Sequence, residues 1–151
     1  MKIFKLLFTA VALLLFLLIW FDQSRSFYCI DSKHCVTVWK RLGGVCYIVP
    51  RKYYGILKPS DNYIKTDNNN IITILWEENT NNIIIDGVDS FAIKNKNDNQ
   101  YLMIDYSSNK NYFDSSLTTF DGQYHRYKDS IYRIDINIFE GYATDNKGRR
   151  L

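Results

Sequence analysis

The stretch CVTVWKRLGGVCYIVP, residues 35–50, decides the fold class. Two runs rich in β-branched and aromatic residues lie on either side of the glycine pair Gly43-Gly44, and Pro50 ends the second run. Two such runs around a glycine turn predict a β-hairpin. The hairpin is the first of a series, because similar runs follow it along the rest of the chain.

These further runs are short and are separated by turn residues such as Asn, Asp and Gly about every 8–12 residues. They cover residues 53–57, 63–65, 71–76, 83–85, 91–94, 101–104, 117–120, 123–127, 131–138 and 142–144. Within the run 131–138, apolar and polar residues alternate from residue 132 onward, which indicates an antiparallel strand buried on one face. We therefore expect an all-β fold, an antiparallel sandwich or partly open barrel of about nine short strands, with no helix after residue 26.

The composition agrees with one folded domain. The chain has 151 residues, of which 46% are hydrophobic and 23% charged. A length of 151 residues favours a single domain, and this balance excludes a disordered chain. The abundance of Asn, Ile and Lys is typical of a bacterial protein.

One hydrophobic helix is predicted to precede the β-domain. An uncharged run begins at Leu6 and ends at Phe21, and Lys2 and Lys5 lie before it. This order is typical of a secretory signal. At about 1.5 Å per residue the run measures about 24 Å, less than the hydrocarbon core of a bilayer at about 30 Å.

Residues 1–26 are thus interpreted as a signal anchor, with a cleaved signal peptide as the alternative. The only triplet that resembles a cleavage site, Ser24-Arg25-Ser26, carries an arginine at its centre, which favours the anchor. Membrane attachment through residues 6–21 would leave the two lysines in the cytoplasm. We expect a single-pass protein of the bacterial inner membrane with its C-terminal part in the periplasm or outside, or a secreted protein after cleavage. That part comprises a β-domain, 27–144, and a polar basic tail, 145–151.

The exported part is nearly neutral. Residues 22–151, which exclude Lys2 and Lys5, have 17 basic and 16 acidic residues, a net charge of +1. Such a balance gives no strong field for nucleic acid, so we expect none as a partner.

The three cysteines all follow the hydrophobic run, where an oxidising compartment favours disulfides. We favour a disulfide between Cys29 and Cys35, with Cys46 buried and free; pairing of Cys29 with Cys46 is the alternative. The spacing of these cysteines and His34 fits no zinc motif, so no metal is expected. No cofactor motif is present either.

Catalytic constellations are weak. A nucleophilic pair of Cys46 or Cys35 with His125 is conceivable, but exported cysteines tend to be paired in disulfides. Glu77 and Glu78 are adjacent, so on a strand they point to opposite faces and cannot act together. No catalytic residue is therefore assigned; the question of enzymatic activity stays open, and a non-enzyme is favoured.

Tyrosine and arginine occur together in two places, and these residue types dominate recognition surfaces. The candidate binding residues are Arg51, Tyr53, Tyr54, Tyr124, Arg126 and Tyr127. The expected function is that of a membrane-tethered β-domain that binds another macromolecule in the bacterial envelope, as an immunity or exclusion protein or an accessory subunit would. The alternative is a small envelope hydrolase that acts on cell-wall or glycan material.

Overall fold

The computed structural model describes residues 2–67, 70–77, 82–95, 102–105 and 131–151. One long helix, α1, opens the chain and spans Lys2–Asp22. The strands in the described residues are β1 (Arg25–Cys29), β2 (Cys35–Lys40), β3 (Val45–Val49), β4 (Tyr63–Asp67), β5 (Ile71–Glu77), β6 (Asn82–Asp86), β7 (Ile93–Lys94), β8 (Leu102–Asp105), β9 (Ile131–Asn137) and β10 (Tyr142–Asp145).

The strands form two five-stranded sheets, which confirms the predicted all-β fold with a preceding helix. Sheet I has the order β1-β2-β3-β4-β7, and sheet II has the order β10-β9-β5-β6-β8. The two sheets bury a common core, since inward side chains of β2, β3 and β4 pack with those of β5, β6 and β9. The members of this core include Val36, Val38, Ile48, Ile64, Ile72, Ile74, Ile85, Ile134 and Ile136.

One pairing differs from the purely antiparallel expectation. Strands β6 and β8 are parallel neighbours in sheet II. Between them the chain crosses to sheet I, where β7 pairs with β4. Because β7 runs back in the opposite direction, β8 re-enters sheet II in the same direction as β6.

Three local differences concern the predicted strands. The first strand, β1, was not predicted from the sequence. Residues 53–57 form a loop instead of a strand, and the run 91–94 is divided between a 3₁₀ helix, Ser90–Ala92, and the two-residue β7. The predicted strands at 117–120 and 123–127 lie outside the described residues.

The residues expected as a polar tail fold back onto the sheet. Arg150 forms an isolated bridge with Thr144, and the amide of Leu151 donates to the carbonyl of Ala143 over 2.9 Å. The tail therefore continues the edge of sheet II beside β10.

The sandwich has two distinct ends. At one end, here called the anchor-side end, α1 is followed by β1. The turns β2–β3, β4–β5 and β9–β10 lie at the same end. Asn70 before β5 donates to Thr66 of β4 over 2.6 Å, which brings the two sheets together at this end. The other end, here called the far end, holds the β1–β2 turn.

Helix α1 does not pack against the sandwich along its length. Every side chain from residue 4 to residue 20 is exposed. Among the described residues, no helix combines the length and the apolar character required to cross a membrane.

Candidate interface at the anchor-side end

The C-terminal end of α1 is bound firmly by sheet I. Arg41 donates through Nε to Oδ1 of Asp22 over 2.7 Å, and the amide of Leu42 donates to the same oxygen over 3.1 Å. The indole Nε1 of Trp39 donates to the backbone carbonyl of Asp22 over 2.6 Å. The last residue of the helix is therefore held through both its carboxylate and its carbonyl. We call these contacts the Asp22 clasp.

Trp39 is the centre of this junction and is fully buried. The guanidinium carbons of Arg25 and Arg41 lie 4.1 Å and 4.8 Å from the centroid of its ring. Each cation–π contact of this kind contributes roughly 1 kcal/mol. Arg25 also donates to the backbone carbonyl of Gln23 over 2.9 Å, and so joins the helix end to the first strand.

The segment 50–59 reaches the same junction across the outer face of sheet I. The hydroxyl of Thr37 on β2 donates to the carbonyl of Arg51 over 2.7 Å and accepts from the amide of Tyr53 over 2.9 Å. Arg25 then donates to the carbonyl of Gly55. One buried threonine and one arginine thus hold the loop against β1 and β2.

Tyr53 is the internal support of this loop. Its ring lies 6.3 Å from that of Trp39, and its hydroxyl donates to the carbonyl of Leu57 over 2.6 Å. Gly55 lies so close to the phenol that a Cβ there would collide with it. The loop therefore folds around Tyr53, and Ile56 and Leu57 project outward.

The three described members of the predicted binding set lie together on this loop but have different surroundings. Tyr54 is exposed, and its ring lies 5.1 Å from that of Phe27 on β1. Arg51 lies 3.9 Å from the carboxylate of Asp61. Tyr53 is half-buried, as described above. The other three members, Tyr124, Arg126 and Tyr127, and His125 with them, lie outside the described residues.

Sequence reasoning missed a set of exposed apolar side chains in or beside the turns at this end. Its members are Leu42, Ile56, Leu57, Ile71, Phe91 and Phe139. The available signal was an apolar residue placed next to a turn glycine, as in Leu42-Gly43 and Gly55-Ile56.

The far end is closed by the predicted disulfide. Cys29 and Cys35 are directly paired on β1 and β2 and are joined by a disulfide. In the turn between them His34 lies 2.8 Å from Asp31 and stacks on Tyr132 of sheet II, with ring centroids 3.8 Å apart. The imidazole thus links the two sheets.

Asp31 is held as a carboxylate in this turn. Burial raises the pKa of Asp31. Hydrogen bonds from the His34 side chain and from the amides of His34 and Lys33 lower this pKa by a larger amount, so the net pKa is below its ordinary value. These contacts stabilise the turn that the disulfide closes.

Cys46 is free and fully buried in the core, as predicted. Burial raises the pKa of its thiol to about 12, so the reactive thiolate is scarce at neutral pH. The described residues contain no cluster of three His, Cys, Asp or Glu side chains that could hold a metal ion.

Comparison of the chain with protein-family models, with curated proteins and with solved structures finds no match.

Proposed function

We propose that the protein is a membrane-tethered, exported β-domain that binds another macromolecule of the bacterial envelope. The observation that supports the tether is the Asp22 clasp, which builds an apolar helix into the fold of the domain. A helix that is apolar on all sides requires an apolar environment. Since its side chains from residue 4 to residue 20 are exposed, a lipid bilayer is the environment that suits it.

The orientation follows from the charges that flank the helix. Lys2 and Lys5 precede the uncharged run, and positive residues favour the cytoplasmic side. The β-domain then lies on the opposite side of the membrane. The disulfide between Cys29 and Cys35 supports this side, because disulfides persist in oxidising compartments.

The clasp also favours retention of the helix over cleavage. Cleavage at the triplet 24–26 would remove Asp22 and Gln23 and would expose the indole of Trp39. It would also remove the start of β1, where Arg25 pairs with Trp39. A domain that matured by cleavage would lose contacts on which its first strand depends.

Membrane topology tests the tether. A reporter that is active only outside the cytoplasm, fused after Leu151, should be active and should sediment with membranes. The double substitution Leu14→Arg and Leu15→Arg should abolish both results, because each charge costs about 2.5 kcal/mol or more near the helix centre. The matched control, Leu14→Ala with Leu15→Ala, should retain them. Reporter activity confined to the cytoplasm would refute the tether.

Partner binding is proposed for the tyrosine and arginine residues identified in the sequence. Truncation of a central anchor residue weakens binding by about 2 kcal/mol, or about thirtyfold. Tyr54 is the described member best placed to contact a partner, because its ring is exposed beside Phe27.

The test is chemical cross-linking in intact cells, followed by purification of the tethered protein and identification of its partner. Tyr54→Ala should reduce capture, and Tyr54→Phe should retain it if the ring makes the contact. The triple change of Tyr124, Arg126 and Tyr127 to alanine tests the other half of the set. Undiminished capture in both alanine variants would exclude these surfaces. Loss of a measured hydrolysis of envelope material in His125→Ala would favour the hydrolase alternative.

A further inference from the structure

Exposed apolar side chains of the described β-domain are concentrated at the anchor-side end. Apart from Phe27 and Tyr54, the large apolar side chains that are exposed in the described β-domain lie in or beside turns: Leu42, Ile56, Leu57, Ile71, Phe91 and Phe139. Leu57 is 80% exposed and Phe139 is 73% exposed. An apolar surface of this kind, gathered at one end, marks an interaction site.

Topology places Leu42, Ile71 and Phe139 around the point where α1 joins the domain, and the hydrogen bond from Arg25 to the carbonyl of Gly55 brings the loop that carries Ile56 and Leu57 to the same point. Leu42 lies in the β2–β3 turn beside the Asp22 clasp, and Phe139 lies in the β9–β10 turn. Gly141 of that turn approaches Lys40 at the end of β2, since a Cβ built on it would lie 3.9 Å from the lysine Nζ. Ile71 begins β5 and is paired with Asn137 at the end of β9.

The turns present these side chains in defined conformations. The amide of Leu42 is bonded to Asp22, and the two glycines that follow have φ values of 93° and 83°, which other residues rarely adopt. After Phe139, the amide of Glu140 donates to the Asn137 side chain over 3.0 Å. The hydrogen bond from the Tyr53 hydroxyl to the carbonyl of Leu57 holds the loop that carries Ile56 and Leu57.

The length of the helix supplies a second argument. The uncharged run 6–21 covers about 24 Å, and the hydrocarbon core of a bilayer is about 30 Å thick. A short span draws its flanking residues toward the lipid or thins the bilayer. On the exported side the flanking residues belong to the domain, because the Asp22 clasp fixes it directly to the end of the helix.

We infer that the anchor-side end of the sandwich lies on the outer surface of the lipid bilayer, with Leu42, Ile56, Leu57 and Phe139 in the boundary between headgroups and acyl chains. The inference rests on the proposed tether and adds a second lipid contact to it. Exposed charges at this end have both signs, as Lys58, Asp89 and Glu140 show. The contact therefore depends on apolar insertion and not on anionic lipid.

Photo-cross-linking of the full chain in vesicles tests this contact. A benzophenone amino acid replaces one residue at a time, and the chain is reconstituted in phosphatidylcholine vesicles, with and without phosphatidylglycerol. Leu57 and Phe139 are the test positions, and Ser32, exposed in the far-end turn, is the matched control. Leu14 in the helix reports the tether itself. Mass spectrometry then measures the yield of lipid adduct at each position.

We expect lipid adducts at Leu57 and Phe139 at least about tenfold above those at Ser32, with equal yields in both kinds of vesicle, since interfacial insertion is local and apolar. Yields at Leu57 and Phe139 as low as at Ser32, with a strong adduct at Leu14, would overturn the lipid contact and leave the tether intact. Cross-links from Leu57 and Phe139 to a second copy of the chain would also overturn it. No adduct at Leu14 would refute the tether, and the lipid contact with it.

Discussion

Asp145 is a buried carboxylate that organises the C-terminal end of the chain. It accepts hydrogen bonds from the amides of Lys147 and Arg149 over 2.9 and 2.8 Å, and from Nε of Arg149 over 2.7 Å. Burial raises the pKa of Asp145. The amide and guanidinium of Arg149 and the amide of Lys147 lower this pKa by a larger amount, so the net pKa is below the ordinary value of 3.8. The charged form of Asp145 is thus more stable, relative to its protonated form, in the folded chain than in the unfolded chain.

Because the pKa of Asp145 is lower in the folded chain, its carboxylate stabilises the fold fully at any pH above the pKa of the unfolded chain. This contribution to the free energy of unfolding is lost as the pH falls through the pKa of the folded chain. Asp145→Asn should therefore reduce the free energy of unfolding by about 2 kcal/mol at neutral pH. The difference between variant and parent should shrink below about pH 4. Urea unfolding of both full-length proteins in detergent, measured from neutral to acidic pH, checks this. A difference that stays constant with pH would show that the charge is not the source of the stability.

Cys46 gives a second residue-scale prediction. A buried thiol with a raised pKa reacts slowly, so a thiol reagent should not label the native protein. Unfolding without reductant should then release one reactive thiol per chain, since Cys29 and Cys35 are joined. Quantitative labelling followed by mass spectrometry measures both states. Three reactive thiols in the unfolded protein would contradict the disulfide.

At this scale, the binding role of Arg51, Tyr53 and Tyr54 stays a prediction, and the structure adds contacts that the sequence does not signal. Tyr53 supports its loop from within, through the hydrogen bond from its hydroxyl to the carbonyl of Leu57. The roles depend on the hydroxyl of Thr37, which lies far from the loop tip in sequence and holds its first residues. Nothing local in the sequence encodes that contact.

Strand β1 is the element that joins the helix to the sandwich. It is an edge strand of sheet I, fixed at the far end by the disulfide and at the anchor-side end by Arg25 and the Asp22 clasp. An edge strand has one neighbouring strand only, so its two ends contribute much of its stability.

Replacement of both Cys29 and Cys35 by serine should destabilise the domain by about 2 kcal/mol, the entropy expected for a loop of this small size. Urea unfolding of the full-length variant and parent, both without reductant, measures the loss. Hydrogen exchange should show the larger change in β1, with β5 and β9 at the centre of sheet II as the internal reference. An unchanged exchange rate in β1 would contradict its dependence on the disulfide.

The strands that sequence reasoning predicted best are those whose pattern is local. The predicted runs 35–40 and 45–49 match β2 and β3 in their bounds, because β-branched residues and the glycine turn delimit them. β1 escaped prediction because its sequence, RSFYC, is short and has exposed residues at its centre. The parallel pairing of β6 and β8 depends on the passage of β7 through the other sheet, which no local pattern signals.

In the described part of the molecule, the apolar helix, the Asp22 clasp and the exposed apolar residues in or beside turns lie at one end. The disulfide lies at the other end. This polarity fits the proposed arrangement, in which the domain is held close to a membrane and presents its far end to the envelope. The exposed apolar residues in or beside these turns lie outside the core, and lipid is the partner proposed for them.

The most direct test of this account is the intact mass of the chain recovered from the membrane. Cells that express it with its own N-terminus are fractionated, and the membranes are washed at alkaline pH to remove peripheral proteins. We predict that the pellet holds the full chain of 17.9 kDa, with residues 1–26 retained and the far-end disulfide formed. A soluble exported protein that begins near residue 27 would contradict the claim that α1 is a permanent part of the fold.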